Sequence, residues 1–329
     1  MEQKRIEWID RAKGIAIFLV LFGHMCIIVN ITTVIYAFHM PLFFFLSGLV
    51  FQYEKYPGFL AFLRKKFKDL IIPCLLFNLM YILWRLVYML SMDGDVDILK
   101  HFLGLIVQNR GTAYCCEAWF IPCIFCMEIM LYTLIRLSKN NQKVICLLSC
   151  IALIVGYVYC YLIHITLPWS VDAAIMALFF GGLGYCCKKL VEKIDGKYIS
   201  LYLLLIPVAL WNYHLSDNKR VEMWGNDYGN LILFVIGAFS GCVATIALSK
   251  QVKLKILEYY GKMTLFLYGM QLVFTEIFRM ASWKYNLYKI STGYSIVMSV
   301  VLTILLFIIF PPFKKPYDKI LHNIKEMIG

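Results

Sequence analysis

Ten stretches of about 18–22 predominantly apolar residues divide this chain of 329 residues. A helix of that length crosses the roughly 30 Å hydrocarbon core of a bilayer, whereas a barrel strand needs only about 9–11 residues. Backbone polar groups find no water in hydrocarbon, so only helices and closed barrels span it. The run lengths therefore predict an all-α, polytopic membrane protein. The expected spans are roughly 13–31, 34–52, 70–91, 119–137, 143–162, 168–187, 198–215, 229–248, 263–280 and 291–312. Hydrophobic residues make up 61% of the chain, against roughly 45–50% in a soluble domain. Residues 97–108 read as a short amphipathic helix lying on the surface. One domain is expected over 1–329, with an amphipathic tail over 314–329 and no cleaved signal peptide.

The formal net charge of +12 invites a nucleic-acid reading, but its distribution argues for topology. With both termini placed in the cytoplasm, 24 of the 32 Lys and Arg residues fall in cytoplasmic segments and seven in outer ones. That bias follows the positive-inside rule for an even number of spans. A multi-pass protein of the plasma membrane is expected, with the lipid bilayer as a partner and no nucleic acid. The twelve cysteines are scattered along the spans and read as small packing residues. The pair Cys123 and Cys126 has redox spacing but lies in an apolar helix, where packing is the ordinary reading.

Titratable groups stand out against this background. His24 follows Lys13 by eleven residues in the first span, and His39 opens the run Phe38-His39-Met40-Pro41 in the second. A charge at the centre of a spanning helix costs at least about 2.5 kcal/mol, so such residues mark functional sites by default. Imidazole also exchanges a proton near neutral pH. A two-residue outer connection at Thr32-Thr33 would make the first two spans antiparallel neighbours, with both histidines at similar depth. Arg85, Glu117, Trp119, Asp172 and Gln271 fall in the same outer half, and Glu128 is the deepest acid. On the cytoplasmic side, Arg64 and Lys68 are four apart and share a face if the segment is helical. Each residue has a plainer reading: hydrogen-bonded packing for a histidine, snorkelling for Arg85 or Asp172, anchoring for Lys13, an interfacial belt for Trp119. Convergence at one depth is what favours chemistry.

These residues together resemble the acyltransferase 3 family of integral-membrane acyltransferases. The resemblance rests on Lys13 and His24, ten residues between them, and on the Phe-rich stretch from Phe38-His39-Met40-Pro41 to Ser47-Gly48. Arg64 and Lys68 resemble a basic pair in the next loop, with Lys in place of the usual second Arg. Trp119-Phe120, Gly261-Lys262 through Tyr268, and Pro168-Trp169 through Asp172-Ala173 are similar to later elements, the last to a sugar O-acetylase branch. The late element often ends in His, and Gln271 stands there in this chain.

The resemblance implies transfer of an acyl group, usually acetyl, from cytoplasmic acyl-CoA to a hydroxyl of an outer glycan or other cell-surface carbohydrate. Acetyl-CoA would be a co-substrate and no metal is expected. His24 would act as general base or briefly carry the acyl group, and His39 would orient it or bind the acyl carbonyl. Glu117 would polarise a histidine or hold the acceptor. Lys13, Arg64 and Lys68 would hold the CoA phosphates. Arg85, Trp119, Asp172 and Gln271 would contact substrate, Arg85 stabilising an oxyanion or an acidic acceptor. The rival readings are a proton-coupled solute transporter and a non-catalytic membrane domain of a cell-wall modification system.

Overall fold

A computed structural model describes residues 6–91, 98–110, 118–285 and 292–327. Regular structure among them is helical. The helices are α1 (Glu7–Met25), α2 (Val29–Tyr36), α3 (His39–Val50), α4 (Phe59–Lys66), α5 (Ile72–Ser91), α6 (Ile98–Val107), α7 (Phe120–Leu137) and α8 (Gln142–Leu162). They continue with α9 (Val171–Cys186), α10 (Lys188–Glu192), α11 (Leu201–Leu215), α12 (Leu231–Gln251), α13 (Lys255–Gly261), α14 (Thr264–Lys284), α15 (Thr292–Ile309) and α16 (Pro311–Met327). A π-helical turn, Phe67–Ile71, joins α4 to α5.

Among the described residues, seven helical stretches are long and apolar enough to cross a membrane, or eight if α15 and α16 form one broken span. The protein is thus a polytopic helical membrane protein. Two expected spans fall outside that group. α1 carries Asp10, Arg11 and Lys13 in its first two turns, and the apolar part of α14, Thr264–Phe278, is shorter. The expected helix over 97–108 is α6, and the amphipathic tail is the helix α16.

One expectation about the entry to the site is corrected. The chain does not turn at Thr32-Thr33. α1 ends at Met25, and Cys26 and Ile28 adopt extended backbone angles before α2 begins. Both threonines are buried inside α2, where Thr32 Oγ1 donates to the Val29 carbonyl at 3.0 Å. A hydroxyl that bonds its own helix does not need a turn.

The chain forms two compact units. The first comprises 1–46, 187–223 and 227–311; the second comprises 47–186, 224–226 and 312–329. In the first, α1 is packed against α2, α12, α13, α14 and α15, and α11 lies on α12. The meeting of α1 and α13 is backbone on backbone. A Cβ at Gly14 would collide with the Leu257 carbonyl, and one at Gly261 with the Asp10 carbonyl. Small residues that admit such close approach are a main source of helix association in lipid. Two motif glycines therefore have a packing reason. Gly261→Ala is expected to destabilise by about 1–3 kcal/mol through overpacking. Gly58→Ala, where a Cβ meets nothing within 4 Å, serves as the neutral comparison by thermal midpoint in detergent.

In the second unit α9 lies between α7 and α8. Gly48 admits the Gly181 carbonyl, and Gly182 admits the Ser149 side chain. The neighbouring Ser47 donates to Glu128 Oε1 at 2.7 Å. The Ser47-Gly48 pair thus supplies a hydroxyl to a buried acid and a gap to a neighbouring helix.

Candidate functional site

The first unit holds both histidines. α1 runs unbroken from Glu7 to Met25, so eleven residues separate Lys13 from His24 by about 16 Å along one helix. At about 100° per residue, that spacing returns to nearly the same face. His24 is exposed, while its neighbours Gly23 and Met25 are buried. Among the described residues it has no hydrogen-bond partner, so both ring nitrogens are available. The end of α1 is secured by α15, where Ser299 Oγ lies 3.0 Å from the Met25 carbonyl.

His39 is buried at the start of α3, and its Nδ1 lies 2.8 Å from the Ile35 carbonyl. A carbonyl only accepts, so Nδ1 carries the proton and Nε2 is the acceptor in the neutral ring. Phe38 fixes this corner. Its ring occupies the space where Gly241 has no side chain, among Ala37, Leu205 and Ala209.

Tyr36 joins the two imidazoles. Its ring meets His39 edge-on with centroids 4.8 Å apart and His24 edge-on at 6.3 Å. Gly23 makes room for it, since a Cβ there would stand 3.1 Å from Tyr36 Cε2. Arg220, from the loop between α11 and α12, lies over the Tyr36 ring at 4.0 Å. Neither Tyr36 nor Arg220 was singled out by the sequence. The only available signal was Tyr36 three residues before His39, about one helical turn away.

At the other end of α1, Arg11 is buried. Its Nε donates to the Ser249 carbonyl at 2.8 Å and its Nη1 to Glu258 Oε1 at 2.7 Å. Lys13 is half-buried. Gln271, on α14, is buried, and its Oε1 has no partner among the described residues.

The second unit holds the remaining predicted residues. Asp172 is fully buried, and its two oxygens receive Arg110 Nη1 at 2.9 Å and Nη2 at 2.6 Å. Asn226 Nδ2 adds a third bond at 2.5 Å, and Arg110 Nε donates to the Trp224 carbonyl. Arg110 also lies over the Trp119 ring at 6.0 Å, so Trp119 and Asp172 are brought together by one arginine. The sequence placed Arg110 only among outer-side charges. The residues just before Arg110 are held by Trp169, whose backbone is left-handed. Trp169 has φ 59°, fixed by its amide on the Gln108 carbonyl at 3.1 Å and its indole on the Ile106 carbonyl at 3.1 Å. Arg85 is exposed on α5. Glu117 lies outside the described residues.

The basic run after α3 is sorted by its partners. Lys65 takes Asp69 at 2.6 Å, and Lys66 turns inward to Glu128 Oε2 at 2.7 Å. Arg64 and Lys68 have no ion pair among the described residues. They straddle the junction between α4 and the π turn, a local irregularity often found at functional sites. No group of three or more His, Cys, Asp or Glu among the described residues is arranged to hold a metal ion.

The first unit thus holds two imidazoles around one tyrosine with an arginine above it, and the second holds a basic pair without an ion pair among the described residues. No curated protein and no solved structure matches the chain significantly. A family model described as an acyltransferase domain matches residues 6–310, and the chain therefore belongs to the acyltransferase 3 family of membrane acyltransferases.

Proposed function

We propose that this membrane acyltransferase moves an acetyl group from cytoplasmic acetyl-CoA to a hydroxyl of a carbohydrate outside the plasma membrane. The family membership over residues 6–310 carries the reaction class. The histidine pair around Tyr36 supports the choice of centre. The charge distribution supports ten spans with both termini in the cytoplasm, which puts Lys13 on the donor side and His24 about 16 Å beyond it.

His24 takes the proton of the acceptor hydroxyl, or itself receives the acetyl group before passing it on. Its accessible ring and unshared nitrogens suit both. His39 presents Nε2 as a fixed second acceptor. In its neutral form it has no proton at that nitrogen to offer a carbonyl, so it serves as base or orienting group. Arg64 and Lys68 hold the phosphates of the donor, and Lys13 adds positive charge on the donor side. Trp119 stacks on the acceptor sugar, and Gln271 gives a hydrogen bond where a histidine often stands. Asp172 keeps its charge on Arg110, and Arg85 is left as a snorkelling residue.

Two arms test the donor assignment. Arg64→Ala and Lys68→Ala are expected to raise KM for acetyl-CoA about tenfold each with little change in kcat, since each removes one charge-assisted contact worth roughly 1.5 kcal/mol. Lys65→Ala, whose charge already belongs to Asp69, should leave KM unchanged. Equal effects at Arg64, Lys65 and Lys68 would reduce the basic run to an anchor for anionic lipid. Supplying labelled acetyl-CoA to inside-out and right-side-out vesicles tests direction. Label should enter carbohydrate only in the inside-out set.

A further inference from the structure

Acyl transfer from a thioester puts negative charge on the carbonyl oxygen, and preorganised donors for that oxygen are usually the largest catalytic contribution. Neither imidazole supplies one. The Nδ1 proton of His39 is committed to Ile35, and a histidine acting as base has none to give. We infer that Arg220 supplies the missing donor, binding the oxyanion of the transferring acyl group. This inference rests on the acyltransfer reading above.

Three arginines with described partners show why Arg220 differs. Arg11 donates to Ser249 and Glu258, with Glu7 at 3.7 Å, and Arg110 donates to Asp172, Asn226 and Trp224. Both are buried structural clamps. Arg220 is half-exposed, and of its five N–H groups one reaches an acceptor, Glu222 Oε1, at 3.4 Å. One face of its guanidinium covers Tyr36. The other donors are uncommitted among the described residues, beside the ring that both imidazoles touch.

The loop is built to hold this arginine in place. Asp217 and Asn218 take left-handed angles, φ 52° and 58°, which Asp and Asn tolerate better than most residues. Glu222 and Asp227 exchange backbone hydrogen bonds at 2.7 and 3.1 Å. Val221 and Met223 are buried and alternate with the half-exposed Arg220 and Glu222, so the strand-like segment is anchored on one face.

In the direct route the acceptor oxygen forms a bond to the thioester carbon while its proton passes to a histidine. The carbonyl electrons move onto oxygen, where Arg220 meets them. The oxyanion then collapses, the carbon–sulfur bond breaks, and the histidine returns the proton to the CoA thiolate. If His24 first carries the acetyl group, the same oxygen develops charge in both half-reactions.

The test uses membrane vesicles from cells expressing the protein, which carry the native acceptor, with radiolabelled acetyl-CoA. Arg220→Ala should slow label transfer about 100-fold with KM for acetyl-CoA unchanged, the usual cost of one oxyanion donor. Arg220→Lys should fall between. Added guanidinium, at concentrations that leave the fold intact, should restore much of the rate to Arg220→Ala and none to His24→Ala. Tyr36→Phe, which removes the other uncommitted donor but keeps the ring, should cost less than Arg220→Ala. Transfer undiminished in Arg220→Ala overturns the role of Arg220 alone. A slow Arg220→Ala that guanidinium does not rescue also overturns it, as does one with raised KM and a lowered thermal midpoint. Wild-type vesicles that transfer no label overturn the acyltransfer reading and this role with it.

Discussion

His24→Ala is expected to reduce acyl transfer by at least about 10²–10⁴-fold, the usual contribution of a general base, and to leave the protein folded. The second half of that expectation comes from position. His24 is exposed, has no hydrogen-bond partner among the described residues, and meets Tyr36 only through ring edges at 6.3 Å. Removing it therefore leaves no orphaned polar group and no closed cavity. His39→Ala should behave differently. It also loses activity, but it empties a buried site and frees the Ile35 carbonyl, so the thermal midpoint should fall as well. Steady-state transfer in vesicles and thermal unfolding in detergent, run on the same preparations, separate the two. A His24→Ala protein that is destabilised as much as His39→Ala would show that its ring is a packing residue.

The largest stability effect is expected at Asp172. Asp172→Ala leaves the guanidinium of Arg110 fully buried without its counter-charge, and breaking one side of a buried pair typically costs about 3–5 kcal/mol. Such a loss is a large share of the roughly 5–15 kcal/mol that holds a typical domain folded. Low yield and a strongly lowered thermal midpoint should result. Replacing both partners at once, Arg110→Met with Asp172→Leu, should recover much of it, because two apolar side chains need no compensation in that interior. If the single Asp172→Ala variant folds normally and loses only transfer, Asp172 serves substrate, not the clamp.

The helical architecture was legible because apolar run length is nearly sufficient to specify a spanning helix. The two motif histidines stood out in the sequence because a titratable group in such a run is costly, and the structure brings both rings to Tyr36. The turn at Thr32-Thr33 was misplaced: both threonines are buried inside α2, and the break precedes it, at Cys26 to Ile28. Asp172 was visible as an acid at the start of α9, but its partner is 62 residues away in the sequence and looked like an ordinary outer-side charge. Arg220 was hidden in the same way, since counting charges for topology treats every loop arginine alike. Only the fold distinguishes Lys65 and Lys66, which have acidic partners, from Arg64 and Lys68, which have none among the described residues. The motif glycines carried more than their sequence context suggested: Gly14, Gly48 and Gly261 each stand where another backbone leaves no space for a Cβ.

The central claim is that this chain acylates a surface carbohydrate through the site at His24. Mass spectrometry of surface glycans from cells lacking the protein, complemented with either wild type or His24→Ala, tests it most directly. The account predicts an acetyl mass on the glycans that disappears with the protein, returns with wild type and stays absent with His24→Ala. Glycans with the same acetylation in all three strains, or restored acetylation with His24→Ala, would contradict it.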